Sequence, residues 1–194
     1  MDDTRDVAQV WNQKNKLEQT IAAGMHGAPE IKKEEKRTFL GVFRERVIMY
    51  LTQDQVKETA LYPEFIEAFQ HAKFAKMLIN CATGRQFTAK YQKLAQKMKK
   101  PYSIIADARY AEAAGLVAVS NDAADVEIIA VQDRLSRLQK QGAPVRLIGA
   151  AGKKVCSSCL SAIVAIDPRE KINYSQLTWL DRLTGERCPA HEDD

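Results

Sequence analysis

The feature that most constrains this chain is a helix-period run held between two apolar runs of strand length. Across residues 86–99, Phe87, Tyr91, Leu94, Ala95 and Met98 recur at i, i+4, i+7, i+8 and i+11, one face of an α-helix. KMLINC (76–81) precedes it, and YSIIAD, starting at Tyr102 just past Pro101, follows it. A helix between two strands is the signature of a crossover over one face of a sheet, so the chain is expected to fold in α/β layers.

The flanks extend that pattern. Residues 44–51 alternate with period two, placing Glu45, Val47, Met49 and Leu51 on one side and Arg44, Arg46, Ile48 and Tyr50 on the other. LYPEFIEAFQHA (61–72) has Pro63 near a helix start and Phe65, Ala68, Phe69 and Ala72 on one stripe. GLVAVSN from Gly115 and VEIIAV from Val126 read as two more strands. The order β-α-β-α-β plus two strands predicts a single α/β domain with a mixed sheet and helices on at least one face. DRLSRLQK (133–140) predicts a short helix stopped by Gly142 and Pro144. Upstream, Val7, Val10, Trp11, Leu17 and Ile21 predict an amphipathic helix over 2–23, ended by Gly24, Gly27 and Pro29. The charged run IKKEEKR (31–37) reads as a solvated connector or helix turn. GAP (142–144) and GAAGKK (149–154) mark a hinge. The expected division is therefore an N-terminal helix and connector over 1–35, the α/β domain over 36–141, and a linker with a small cysteine-rich module over 142–194.

At 45% hydrophobic and 28% charged residues the 194-residue chain has an ordinary soluble, globular composition. A net charge of +4 and a pI near 8.8 do not oppose a polyanionic partner, yet fall short of a dedicated nucleic-acid binder. No apolar run reaches the ~18–20 residues of a membrane helix. The opening MDDTRDVAQVWNQK is acidic and lacks an apolar signal core, which makes the expected location cytoplasmic with no membrane partner. In a reducing cytoplasm the four cysteines point to metal binding, redox chemistry or burial rather than to structural disulfides.

A family resemblance enters at Leu17. The run LEQTIAAGMHGAPEIKKEEKRTFLGVFRERVIMYLT carries Gly24, Met25, Gly27, Arg37 and the block F-L-G-x-x-R-E-R-V at 39–47. With Gln55, Val56, the strand ending in Asn80, IIAD (104–107) and GLVAVSNDAADV, it closely resembles the YueI-like family of small Gram-positive bacterial proteins over about residues 17–135. Cys81 departs from the small residue expected after the asparagine, which puts that turn in question. The resemblance implies a chorismate-mutase-like α/β fold, similar also to kink-turn-binding and ribosomal RNA proteins. It implies no activity, and it stops short of the C-terminal cysteines.

Those cysteines carry the sharpest chemistry. Cys156-Ser-Ser-Cys159 is followed by Cys188-Pro-Ala-His191, two pairs each spaced to turn both side chains toward a common point. Together they supply the four N/S donors of a closed tetrahedral zinc site. Leu160 to Ile166 is apolar, and 174–183 reads as a helix with a Leu177, Leu180, Leu183 stripe, capped by Asn173 or Ser175. Two short elements packed as a hairpin would bring the pairs together, and a metal would stabilise so small a unit. Two other readings stand beside zinc: a redox pair with Cys156 as attacking thiolate, and unligated thiols. Cys81, alone on an apolar strand, is expected to be buried.

Other residues are less specific. Arg44 and Arg46, on one side of a strand, could grip phosphate or simply pair with Glu45 or Asp54. Lys90, Lys93 and Lys97, opposite the apolar stripe of their helix, suit a nucleic-acid backbone or an ordinary solvated face. GAAGK (149–153) lacks the full phosphate-loop pattern, and His26 and His71 have no partner by spacing. Asp107 and Asp122 fall near strand ends without specifying a reaction. The expectation is a binding or adaptor protein rather than an enzyme, with RNA as preferred ligand. A purely protein-binding adaptor and a thiol-redox protein using Cys156 and Cys159 are the alternatives.

Overall fold

A computed structural model describes residues 33–191. The predicted helix over 2–23 lies outside the described residues. The charged run continues into helix α1 (Lys33–Thr38), and a left-handed pair, Leu40 and Gly41 (φ 56° and 89°), turns the chain toward the first strand.

Four strands form one sheet: β1 (Val47–Leu51), β2 (Phe74–Asn80), β3 (Tyr102–Ile105) and β4 (Leu116–Ser120), in the order β1-β4-β2-β3. The β2–β3 pair is parallel and the other two pairs are antiparallel, so the sheet is mixed. The crossover between β2 and β3 is helix α4 (Arg85–Lys97), the periodic run of the sequence. The central strand β4 is buried along its whole length, which is why LVAVS is continuously apolar rather than alternating. The pleat still divides the sheet. Met77, Ile79, Leu116 and Ala118 join Phe65, Phe69 and Tyr91 in one core, while Leu78, Val117 and Val119 join Phe39, Leu40 and Ile129 in a second. Gly115 opens β4 against α2 (Gln53–Lys57), where a Cβ would lie 2.9 Å from Val56 Cγ2 and 3.0 Å from Gln53 Cα. Only glycine permits that approach. Helix α3 (Pro63–Glu67) begins with Pro63, as its sequence predicts, and continues as a tighter turn at Ala68–Gln70.

Several expectations need correction. Residues 44–46 form a short 3-10 turn rather than the start of a strand, so Arg44 and Arg46 do not share a strand face. Arg44 instead donates to the Glu127 carbonyl at 2.7 Å. Period two fails in β1 because the register shifts at a bulge between Val47 and Met49, which leaves Val47 and Leu51 buried in different cores. The run from Val126 is not a strand. It touches β1 only around Tyr50, whose N–H donates to the Ile129 carbonyl and whose carbonyl accepts from the Val131 N–H. Cys81 is exposed, because β2 ends at Asn80 and that side chain caps the turn Cys81–Thr83 by accepting from the Ala82 N–H.

Beyond the sheet, α5 (Arg134–Lys140), α6 (Val145–Gly149), the strand β5 (Lys154–Val155), α7 (Ser157–Ile166), the turn Pro168–Asn173, the strand β6 (Ser175–Gln176) and α8 (Trp179–Leu183) follow in order. Strands β5 and β6 form a parallel two-stranded ribbon. Leu138, Leu147, Ile148, Val155, Ile163 and Tyr174 build a third core, so α5 and the elements beyond residue 142 share one interior. The helix expected over 174–183 is confined to its last turn and a half. Thr178 and Asp181 make a reciprocal capping box that starts α8 at Trp179, while Ser175 and Gln176 pair with β5. Leu177 is buried, but Leu180 and Leu183 are exposed, so the predicted leucine stripe does not pack.

Candidate metal centre

Ribbon β5 delivers the chain to Cys156, which occupies the N-cap of α7 with extended dihedrals. Cys159 lies in the first turn of that helix, so the two thiols face one point across the two-residue gap. The second pair arrives after α8. Gly185, at φ +86°, reverses the chain past the helix end, and the Glu186 N–H returns to the Asp181 carbonyl at 2.9 Å. Lys154 anchors that return, with its ammonium 2.5 Å from Asp181 and 3.2 Å from Glu186. Its hydrogen bond, together with those from Thr178, holds Asp181 down to about 2. Cys188 follows two residues after Glu186.

The four donor atoms of Cys156, Cys159, Cys188 and His191 lie within 4.8 Å of one another. His191 Nε2 is 3.3 Å from Cys159 Sγ and 3.7 Å from Cys156 Sγ. A tetrahedron with Zn–S of about 2.3 Å and Zn–N of about 2.0 Å has edges of roughly 3.5–3.8 Å, close to these separations. A disulfide would require about 2.05 Å between sulfurs, and all three cysteines are free. The Cys156 N–H donates to Cys188 Sγ at 3.4 Å. Burial is graded, from buried Cys156 and Cys159 through half-buried Cys188 to exposed His191.

Charge supports the same reading. Burial would raise the Cys156 thiol, but hydrogen bonds from Ser158, the Cys159 N–H and the neighbouring thiols pull it down to about 6. Burial and the adjacent sulfurs push Cys159 up to about 12. Ionising Cys156 therefore makes ionising Cys159 harder. A divalent ion would let all three ionise, and the soft N/S donor set suits zinc.

The other residues singled out by sequence do not join this cluster. Lys93 and Lys97 are exposed on α4, whereas Lys90 is half-buried and donates to the Glu58 and Ala60 carbonyls, the latter at 2.9 Å. Burial lowers its ammonium to about 8. Arg44 and Arg46 lie at the β1 end of the sheet. Sequence reading missed the buried Arg134, Arg137, Asp167 and Glu170, because long-range pairing leaves no local signal. It also missed exposed Trp179 and its neighbour Arg182.

Sheet order and crossover describe an α/β protein with a mixed four-stranded sheet, followed by elements that carry a cysteine–histidine cluster. Residues 14–130 match the family described as "Protein of unknown function (DUF1694)", and the chain belongs to that family. It is 30% identical over 119 residues to the Uncharacterized protein YueI of Bacillus subtilis, covering 61% of this chain and 90% of that protein. The crystal structure of the Bacillus subtilis YueI protein is similar at a TM-score of 0.50 and 30% identity, across 62% of this chain and 94% of that one. The family match ends before α5, so all four candidate ligands lie outside it. Among the described residues no helix is long and apolar enough to cross a membrane.

Proposed function

We propose that this chain is a non-catalytic binding protein whose C-terminal unit is held in shape by one zinc ion on Cys156, Cys159, Cys188 and His191. The convergence of four soft donor atoms within 4.8 Å carries the reading. Four protein donors leave no coordination position for a substrate, which is the pattern of a structural rather than a catalytic zinc. The unit around them is small, with a core of short elements, and metal binding would add folding free energy that such a core lacks. Zinc supplies charge neutralisation here. The protein's own contributions are the α7 N-cap that orients Cys156, the Cys156 N–H on Cys188, and the Lys154 clamp that returns the chain toward Cys188.

Elemental analysis of the purified full chain tests this. The expected result is about one zinc per chain, lost in Cys159→Ser and retained in Cys81→Ser, whose thiol lies outside the cluster. Metal-free protein carrying a reversible Cys156–Cys159 disulfide would overturn the zinc reading in favour of thiol-redox chemistry.

A further inference from the structure

The four-stranded sheet has two edges, and they are finished differently. On β1 the segment around Ile129 takes up the outward backbone groups of Tyr50. On β3 the Met77 N–H donates to the Pro101 carbonyl, and Met77 pairs with Tyr102 and Ile79 with Ile104. In a parallel ladder that register turns the backbone of Ser103 toward β2 and the N–H and C=O of Tyr102 and Ile104 outward. Among the described residues none of those outward groups has a hydrogen-bond partner. An unpaired edge is a template for another strand, and Tyr-Ser-Ile-Ile holds no charge or proline that would blunt it.

A groove of about 360 Å³ lies at this edge between β3 and α4. Ile79, Tyr102 and Ile104 form its sheet side, where Ile104 is 54% exposed. Arg85, Thr88 and Gln92 form its helix side, one stripe of α4 at i, i+3 and i+7. The Gln92 amide donates to the Thr88 hydroxyl at 3.2 Å, so these two are engaged with each other. Arg85 is the one charged side chain lining the groove, and among the described residues it makes no ion pair. The stretch that builds most of both walls, 81–105, holds one arginine and five lysines and no carboxylate. Of these cations Lys90 is turned away, onto the Glu58 and Ala60 carbonyls. The first acid after β3, Asp107, is held by Arg109 at 2.7 Å. Main-chain donors and acceptors, an apolar floor and an unpaired guanidinium thus meet in one place. A second copy of this chain could supply a strand, but it would bring its own cationic α4 beside the first. A nucleic acid would use the cations and leave the strand edge and the isoleucines unmet. An extended acidic peptide meets all three.

We propose that the groove between β3 and α4 binds an extended acidic peptide of a partner protein, which joins the sheet beside β3, sets an apolar side chain on Ile79 and Ile104, and places a carboxylate on Arg85. This names a partner for the binding role proposed above and rests on that role, not on zinc, since no residue of the cysteine–histidine cluster lines the groove. The full chain is used to select from a displayed library of random peptides about eight residues long. The expected result is enrichment of sequences that alternate apolar and acidic residues. By fluorescence anisotropy, a labelled peptide of that kind should bind about tenfold more weakly to Arg85→Glu and to Ile104→Asp, both changes of exposed side chains. Methylating alternate backbone nitrogens of the peptide should abolish binding in one register and spare it in the other, because only alternate amides of an added strand face β3. Failure to enrich any peptide, enrichment without acids, unchanged affinity in either variant, or equal effects of the two methylation registers overturns the proposal. So does a uridine RNA oligomer of about a dozen nucleotides that displaces the peptide and itself loses binding in Arg85→Glu, which assigns the groove to nucleic acid. A zinc-free chain that binds the peptide supports the groove and overturns the zinc reading alone, and a zinc-loaded chain that binds no peptide does the reverse.

Discussion

Lys90 shows what separates a charged residue read in sequence from the same residue in its fold. Its spacing with Lys93 and Lys97 suggests one solvated basic face, but its ammonium is turned onto the Glu58 and Ala60 carbonyls beyond the end of α2. Burial lowers it from 10.5 to about 8, with Glu58 partly offsetting. A lysine depressed in the folded state binds its proton less tightly there than in the unfolded chain. Its contribution is therefore fully present above about 10.5 and lost as pH falls through about 8. Urea denaturation of the parent should accordingly gain stability between these pH values relative to Lys90→Met. Parallel pH profiles for the two proteins would refute this. The clustering of Cys156, Cys159, Cys188 and His191 was legible because it is written in local spacing, two residues between the members of each pair. Cys81 was not. Its exposure depends on where β2 stops, and Asn80 decides that by capping the next turn.

At the scale of elements, legibility followed length. The 13-residue α4 and the strands on either side of it stand almost where their periodicity puts them. Short elements are governed by caps and by tertiary pairing instead. Residues 174–183 read as one helix, yet pairing of Ser175 and Gln176 with β5 claims the first part and the Thr178–Asp181 box starts the helix late. That box was present in the sequence as T-x-x-D and is the signal that would have placed the boundary. It also has a consequence for the cysteine–histidine cluster. Asp181 both caps α8 and receives Lys154, so the helix start and the return toward Cys188 are tied through one carboxylate. Thr178→Ala should cost about 1 kcal/mol of local stability, equivalent to about fivefold in zinc retention. Competition with a chromophoric chelator would measure that change, and unaltered affinity would show that α8 does not position Cys188.

Across the whole molecule, the sheet and the cysteine-bearing unit are joined by buried charge rather than by apolar contact alone. Glu170 is fully buried and accepts from Arg134 through Oε2 at 2.8 Å and from Arg137 through Oε1 at 2.7 Å. Arg137 also pairs with buried Asp167 and reaches Glu64 of α3 at 3.0 Å, while the Asn173 amide exchanges hydrogen bonds with the Leu61 backbone at 2.7 and 2.8 Å. The Arg134 and Arg137 pairs with Asp167 and Glu170 tie α5 to the turn Pro168–Asn173 within the third core, and the links to Glu64 and Leu61 cross to the segment around α3. Buried ion pairs recover little net energy over apolar packing, but removing one partner leaves the other charged and desolvated. Glu170→Ala leaves buried Arg134 without its carboxylate while Arg137 keeps Asp167 and Glu64, and the expected loss is about 3 kcal/mol. The loss should be local. Neither core of the sheet contains a residue beyond Val131, so hydrogen exchange should keep β2 and β4 amides protected while those of α5 and α7 open. If sheet and C-terminal amides lose protection together, the network is part of one cooperative unit and the joint is not a boundary. If they separate, the cysteine–histidine centre sits on a unit that can loosen while the family domain beneath it stays folded.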